Sequence, residues 1–301
     1  MIFKEYSEFI PDFDDFYQSL QEPLPVHLRI NTLKIVTDEL LNMMQCRGLM
    51  VKQSIKGNKQ FIYIKNTKTP GNLIEYHLGY IHPQALTSCM ASLVLSPEAN
   101  DAVLDMCAAP GGKTSHIAQL MNNNGLIIAN ELYSHRHRSL GFNLSRLGVL
   151  NTIITSYPAQ QFPMRFRFDR ILADVPCSGE GTFRIKKKDQ NYWEGEGGNR
   201  IPNLQKIIIL RGFDLLKNNG IMIYSTCTYN PDENEGVVNH LLNNRDAELL
   251  PIKTPLRQEE GLTQWKGANY DKRLRMAARF YPHRVNSVGF FMARICKSRG
   301  A

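Results

Sequence analysis

The sequence predicts an α/β protein: a doubly wound, Rossmann-like sheet preceded by a small α+β N-terminal domain. Three observations predict it. From His77 onward, short apolar runs of strand length alternate with helical stretches, the pattern of a parallel sheet covered on both faces. The first of these runs leads directly into a Gly-rich turn and a helix. Ahead of them, the polar stretch Asn66–Asn72, broken by Pro70-Gly71, divides off a segment of different pattern. With 301 residues, 43% hydrophobic and 21% charged, the chain can bury such a core without disulfide or metal staples.

The N-terminal domain is expected over residues 1–72. It opens with an apolar-periodic segment from Phe9 to Leu20, and Leu24–Ile35 then alternates like a strand. Thr37-Asp38 caps a helix carrying Leu40, Leu41 and Met44, and Val51–Lys65 reads as a hairpin turning at Gly57-Asn58. Every charge from Arg47 to Lys68 is positive, and Phe61 and Tyr63 are interleaved among them. That pattern suits base stacking, and equally a solvated hairpin face.

Residues 73–301 carry the larger domain. A helix over PQALTSCMASLVL is followed by the strand Ala102–Met106, a Gly-rich turn and a helix through Met121. Gly125–Glu131, Asn151–Ser156, Arg170–Val175 and Ile221–Thr226 are the next strands. The helix around Arg136–Leu147 lies between the second and third, and Pro202–Lys217 forms a long helix ending at Asn219-Gly220. In such sheets ligands sit beyond the carboxyl ends of the strands, so each loop after a strand is a candidate site.

Composition excludes several classes. The six cysteines form no C-x-x-C pair, which argues against a disulfide scaffold or a structural zinc, and no metal is expected. No apolar run approaches the ~20 residues of a membrane span, and we read no signal or transit peptide, so the expectation is a cytoplasmic protein with reduced thiols. The excess of 36 Lys+Arg over 28 Asp+Glu, a net charge of +8, suits a polyanionic partner.

The loop DMCAAPGGKTSH admits two readings. Gly112-Lys113-Thr114 ends like a phosphate-binding P-loop, and Asp174 imitates its metal-binding acid, which would make the protein a nucleotide hydrolase. But Cys107 stands where that loop needs its first glycine. The small residues Ala108, Ala109, Gly111 and Gly112 let the backbone approach a bulky ligand, and Glu131 at the end of the next strand is placed to hold ribose hydroxyls. Spacing therefore favours an adenosine-containing cofactor.

Two cysteines lie just past neighbouring strands: Cys177 in ADVPCSGEGT, three residues after Asp174, and Cys227 in YSTCTYNPDENE. Asn230, Pro231 and Glu233 read as the cap and first turn of a helix, an environment that lowers a thiol pKa. Cys46, Cys89 and Cys296 read as small buried hydrophobes. Two thiols, an acid and an adenosyl cofactor suit methylation of cytosine. Carbon-5 is a poor nucleophile until a thiolate adds at carbon-6.

DMCAAPGGKTSHIA, ILADVPCSGEGTFR and YSTCTYNPDENEGVV, in this order, resemble the NSUN (Nol/Nop/Sun) family of RNA cytosine-5 methyltransferases. HLRINTLK, HPQALTSCMASLVL and RFYPH…GFFMARI extend the likeness to nearly the whole chain. The resemblance implies a class I methyltransferase sheet, S-adenosylmethionine as methyl donor, and tRNA or rRNA as substrate. It implies that Cys227 attacks carbon-6, Cys177 assists release of the adduct, Asp174 contacts the cytosine nitrogen edge, and Lys113 lies between cofactor and catalytic groups. Cofactor contacts are expected from Cys107, Ala108, Ala109, Pro110, Gly111, Gly112, Lys113, Glu131, Arg136 and Asp174. Assignment of roles between the two thiols rests on the resemblance, since DNA cytosine methyltransferases use the Pro-Cys thiol as nucleophile. One departure stands out: Pro158 occupies the place where the family carries an acid near the adenine.

RNA contacts are expected from the basic run Arg184, Lys186, Lys187 and Lys188 beside the Cys177 turn, and from Lys272, Arg273, Arg275, Arg279 and Arg284 with their aromatic neighbours. The target cytosine must be unstacked to reach such a site. A non-catalytic RNA-binding or ribosome-assembly factor on the same fold is the alternative; Pro158 is the local feature that favours it.

Overall fold

Two large sheets and one two-stranded sheet carry the chain in the computed structural model, which describes residues 2–67, 69–185 and 200–298. After α1 (Phe13–Ser19), the small domain comprises β1 (His27–Ile30), α2 (Thr37–Cys46), β2 (Val51–Ile55), β3 (Asn58–Ile64), α3 (Ile74–His77) and β4 (Ile81–Pro83). Its sheet has the order β2-β3-β1-β4, with each pair antiparallel. Leu28, Ile30, Leu40, Met44, Ile62 and Ile81 form its core. The edge strand β4 follows the Pro70-Gly71 segment, so the small sheet draws on residues beyond 72.

The alternation read in β1 has a reason on both faces. Leu28 and Ile30 enter the small core, while His27 and Arg29 point the other way and are also buried. Arg29 donates to Gln84 (3.1 Å), Gln119 and Ser115 (2.8 Å), tying β1 to the larger domain with no carboxylate partner among the described residues.

The larger domain runs α4 (Leu86–Leu95), β5 (Ala102–Asp105), α5 (Gly112–Leu120), β6 (Leu126–Asn130), α6 (Ser134–Arg146), β7 (Thr152–Thr155), β8 (Phe168–Asp174), α7 (Arg200–Leu215), β9 (Leu216–Thr226) and α8 (Glu235–Asn244). There follow β10 (Ala247–Leu250), β11 (Glu259–Glu260), β12 (Gln264–Trp265), β13 (Ala268–Asn269), β14 (Ala278–Phe280), α9 (Pro282–Val285) and β15 (Phe290–Lys297). The main sheet has the order β11-β14-β15-β9-β8-β5-β6-β7. The run β9-β8-β5-β6-β7 is parallel, the five strands that the periodicity predicts. β10, β11, β14 and β15 extend the sheet antiparallel. Reversal between β6-β5 and β5-β8 places the switch point at β5, beside the Gly-rich turn.

Several local expectations are corrected. The helix after Cys227 begins at Glu235, with Asn234 before it; Asn230 does accept from the Asp232 N–H (2.9 Å) as a cap would, but residues 231–234 form turns and not a regular helix. Thr37 does not cap α2; Val36 precedes the helix and no side chain caps it. α7 ends at Leu215, before Asn219-Gly220. Cys89 is buried, but Cys46 is exposed. Among the described residues no helix is long and apolar enough to cross a membrane, and no three His, Cys, Asp or Glu side chains converge as a metal site requires.

Candidate active site

The turn after β5 reverses the chain tightly. Gly111 adopts φ +99°, and a Cβ there would lie 3.1 Å from Leu140, so the position takes glycine. Beyond it α5 starts, and a cavity of about 320 Å³ opens between the turn and the ends of β5, β8 and β9. Cys107, Ala108, Ala109, Pro110, Gly112 and Lys113 line one side; Asp174 and Cys227 line the other. The loop and the two later strand ends are thus brought together as their positions predict.

Asp105, the last residue of β5, also faces this cavity, and sequence reasoning passed over it. One oxygen accepts from Thr114 Oγ1 at 2.7 Å; the other is buried without a partner among the described residues. Burial pushes its pKa up to about 7, against the pull of the Thr114 hydrogen bond. The signal was available: it is an acid at the carboxyl end of the switch-point strand.

Glu131 and Arg136 flank the loop and are not part of the cavity lining. Buried Glu131 pairs with Arg136 at 3.0 Å and accepts from the Tyr133 N–H. Arg136 also donates to the Ala109 carbonyl at 2.7 Å. Pro158 starts a short turn after β7, where the Asn130 side chain holds Tyr157 through both its backbone groups at 2.9 Å.

The two cysteine turns clamp each other. Glu180, three residues after Cys177, accepts from Thr228 Oγ1 (2.8 Å) and the Tyr229 N–H (3.0 Å), which follow Cys227. Glu233, six residues after Cys227, accepts from the Ser178 N–H (2.9 Å), which follows Cys177. Ser178 and Thr228 hydroxyls meet at 2.7 Å. Gly181 donates its N–H to the Cys227 carbonyl at 2.8 Å and packs so closely that a Cβ would lie 2.2 Å from the Gly289 oxygen. These contacts hold the Cys177 and Cys227 sulfurs 3.4 Å apart.

The electrostatics separate the two thiols. An S–H of Cys177 donated to Cys227 lowers the Cys227 pKa against burial and Asp174, with help from Lys113. The same hydrogen bond, then burial, raises Cys177 well above the ordinary thiol value. Cys227 lines the cavity and Cys177 does not. Lys113 Nζ lies 2.6 Å from Asp174 Oδ2, and Ser225 donates to the other oxygen at 2.7 Å. Burial works against the Lys113 charge, but Asp174, Cys227 and Asp105 outweigh it and hold the ammonium above the ordinary lysine value.

The expected RNA-facing residues fare unevenly. Arg184 is buried, 6% exposed, and Lys186, Lys187 and Lys188 lie outside the described residues. The C-terminal basic cluster divides: Lys272, Arg273 and Arg275 are exposed, Arg273 pairing with Asp271; Arg284 is half-buried against Asp12; Arg279 is buried against Glu235, and the aromatic neighbours Phe280 and Tyr281 are core. Phe61 is core as well and cannot stack on a base.

A doubly wound sheet with this order, a Gly-rich loop at the switch point and an acid after the second strand define a class I methyltransferase fold. Residues 92–296 match the family model of the 16S rRNA methyltransferase RsmB/F. The chain therefore belongs to this family, the NSUN group of rRNA and tRNA cytosine-C5 methyltransferases. It is 38% identical to the tRNA (cytosine(49)-C(5))-methyltransferase of Pyrococcus abyssi, over 98% of this chain and 95% of the relative. It is 37% identical to the 28S rRNA (cytosine-C(5))-methyltransferase of Mus musculus over 94% of this chain, spanning 36% of that protein's length. Among solved structures, a methyltransferase homolog from Pyrococcus horikoshii superposes with a TM-score of 0.83 at 35% identity, covering 94% of this chain and 90% of the other.

Proposed function

We propose that this protein transfers a methyl group from S-adenosylmethionine to carbon-5 of a cytosine in tRNA or rRNA, through a covalent adduct with Cys227. The observation that carries the reading is the thiol pair at 3.4 Å, with the lower-pKa member opening into the cavity of the Gly-rich loop.

The residues suit the cofactor. The buried, unpartnered oxygen of Asp105 wants a hydroxyl or ammonium donor, and the small side chains of residues 108–112 leave backbone exposed to a bulky ligand. Cys107, Ala108, Ala109, Pro110, Gly111, Gly112 and Asp105 would cradle it, with Glu131 and Arg136 toward the ribose. When bound, S-adenosylmethionine supplies an electrophilic methyl group.

The chain's own groups prepare the cytosine. The Cys227 thiolate adds to carbon-6, forming a C–S bond and placing electron density at carbon-5. Asp174, fixed between Lys113 and Ser225, meets the ring nitrogen edge and steadies the adduct. After methylation the carbon-5 proton leaves to a base, the C–S bond breaks and the Cys227 thiolate returns; Cys177 assists this release.

The test is incubation of the whole protein with methyl-labelled S-adenosylmethionine and, separately, unmodified tRNA, naked rRNA and ribosomal subunits, followed by nucleoside mass spectrometry. Labelled 5-methylcytidine in one pool supports the reading and selects the substrate. RNA binding with no label in any pool supports the non-catalytic alternative.

A further inference from the structure

The catalytic cavity has a neighbour. A second chamber of about 540 Å³ shares its wall of Pro83, Gln84, Ala85, Thr182 and Val288. Its far side is the segment 21–27, where Pro23, Leu24, Pro25 and Val26 present an apolar face.

Two side chains that line this chamber carry buried donors with no partner among the described residues. Gln84 accepts from Arg29 Nε at 3.1 Å, which fixes the amide so that Nε2 is its free end; that nitrogen is buried and has no partner among the described residues. Arg184 donates through Nη1 to the Phe183 carbonyl, while its Nε and Nη2 have no partner among the described residues. Among the described residues no carboxylate pairs with Arg184, although it is 6% exposed. Of the other titratable groups on the chamber, Glu22 is exposed. His27 is spent on Ser54 (2.9 Å) and the Asn286 carbonyl (2.8 Å), and burial keeps it neutral.

A buried, unpaired cation is costly unless an anion completes it. Nε and Nη2 form the guanidinium edge that matches two phosphate oxygens. We infer that the second chamber holds the RNA nucleotide adjoining the target cytosine, its phosphate on the free edge of Arg184 and its base or ribose against the Pro23–Val26 face. The inference rests on the proposed function, since it takes the substrate to be RNA. It makes Arg184 a positioning residue beside the reaction and not a surface charge.

The experiment uses the whole protein and short single-stranded RNAs with one cytosine, each carrying a single uncharged methylphosphonate linkage. Binding is followed by fluorescence anisotropy. Wild type should lose about tenfold in affinity when a linkage next to the cytosine is neutralised, the scale of one charge-assisted contact. Arg184→Gln should bind the unmodified RNA about tenfold more weakly and become indifferent to that linkage, with Arg184→Lys in between. Equal sensitivity in Arg184→Gln and wild type overturns the inference. Should Arg184→Gln fail to fold, Val26→Trp decides: filling the chamber should raise the KM for RNA and not that for S-adenosylmethionine, and an unchanged RNA KM overturns it. A wild type that neither binds nor methylates RNA defeats the functional reading itself; methylation that is intact and indifferent to Arg184 defeats this inference alone.

Discussion

Replacing Cys177 with alanine removes the thiol placed 3.4 Å from the Cys227 sulfur. That S–H is the largest influence lowering the Cys227 pKa, so without it the thiolate becomes harder to form. A hydrogen bond to a charged group contributes ~1.5–3 kcal/mol, and a thiol is a weak donor, so the lower end applies. Near neutral pH that corresponds to about tenfold less thiolate. Lys113 remains in place, so the effect should not exceed this scale. The assay is the rate of alkylation of Cys227 by iodoacetamide, followed by peptide mass spectrometry across pH. Cys177→Ala should react about tenfold more slowly near neutrality and converge on wild type at high pH, where Cys227 is ionised in both proteins. With RNA present, Cys177→Ala should accumulate a covalent adduct and Cys227→Ala should form none. Unchanged or faster alkylation near neutrality would refute the hydrogen-bond argument, and an adduct trapped by Cys227→Ala would exchange the two roles.

Three further outcomes are expected. Asp174→Asn removes the negative charge 2.6 Å from Lys113 and should lower methyl transfer by about a hundredfold or more; near-normal turnover speaks against the assigned role. Asp105, at about 7 in the folded protein against 3.8 in the unfolded chain, contributes stability that is complete below about pH 4 and is lost as pH rises toward 7. Asp105→Asn should therefore flatten the fall of Tm between about pH 5 and 7, and a slope equal to wild type contradicts the shift. Glu235→Gln strips the charge from a fully buried partner of Arg279, which also donates to the Tyr229 carbonyl (3.0 Å) two residues past Cys227. Losing one member of such a pair costs ~3–5 kcal/mol, or a Tm drop of about 5–8 °C for a chain of this size, and calorimetry showing under about 2 °C would rule it out.

The parallel half of the sheet was legible because each strand is a short apolar run between helices, and position at a strand end then put Lys113, Asp174, Cys177 and Cys227 on the same side. The antiparallel half was not. β15 reads FFMARICK, five of its eight residues buried, and such a largely apolar run does not say in which direction it pairs. The start of the helix after Cys227 was not legible: Asn230 accepts from the Asp232 N–H (2.9 Å) as a cap would, but the turn it opens does not continue as a regular helix. Only the contacts of Asn234 with Thr226 and with the Thr228 carbonyl (3.0 Å) set the start at Glu235.

Charge was the least legible property. The sequence counts Arg29, Arg184 and Arg279 alike, yet all three are buried and each is resolved differently. Arg279 has a carboxylate, Arg29 has two amides and a hydroxyl, and Arg184 has one carbonyl. Satisfaction of a buried cation depends on partners remote in sequence, such as Glu235 for Arg279 and Gln119 for Arg29, so no local pattern of residues can report it. The same reasoning ranks their consequences. Arg279 is complete within the fold and its loss should be felt as stability. Arg184 is left incomplete by the described residues and its loss should be felt as binding, which is why the two residues, indistinguishable as basic letters, call for opposite assays.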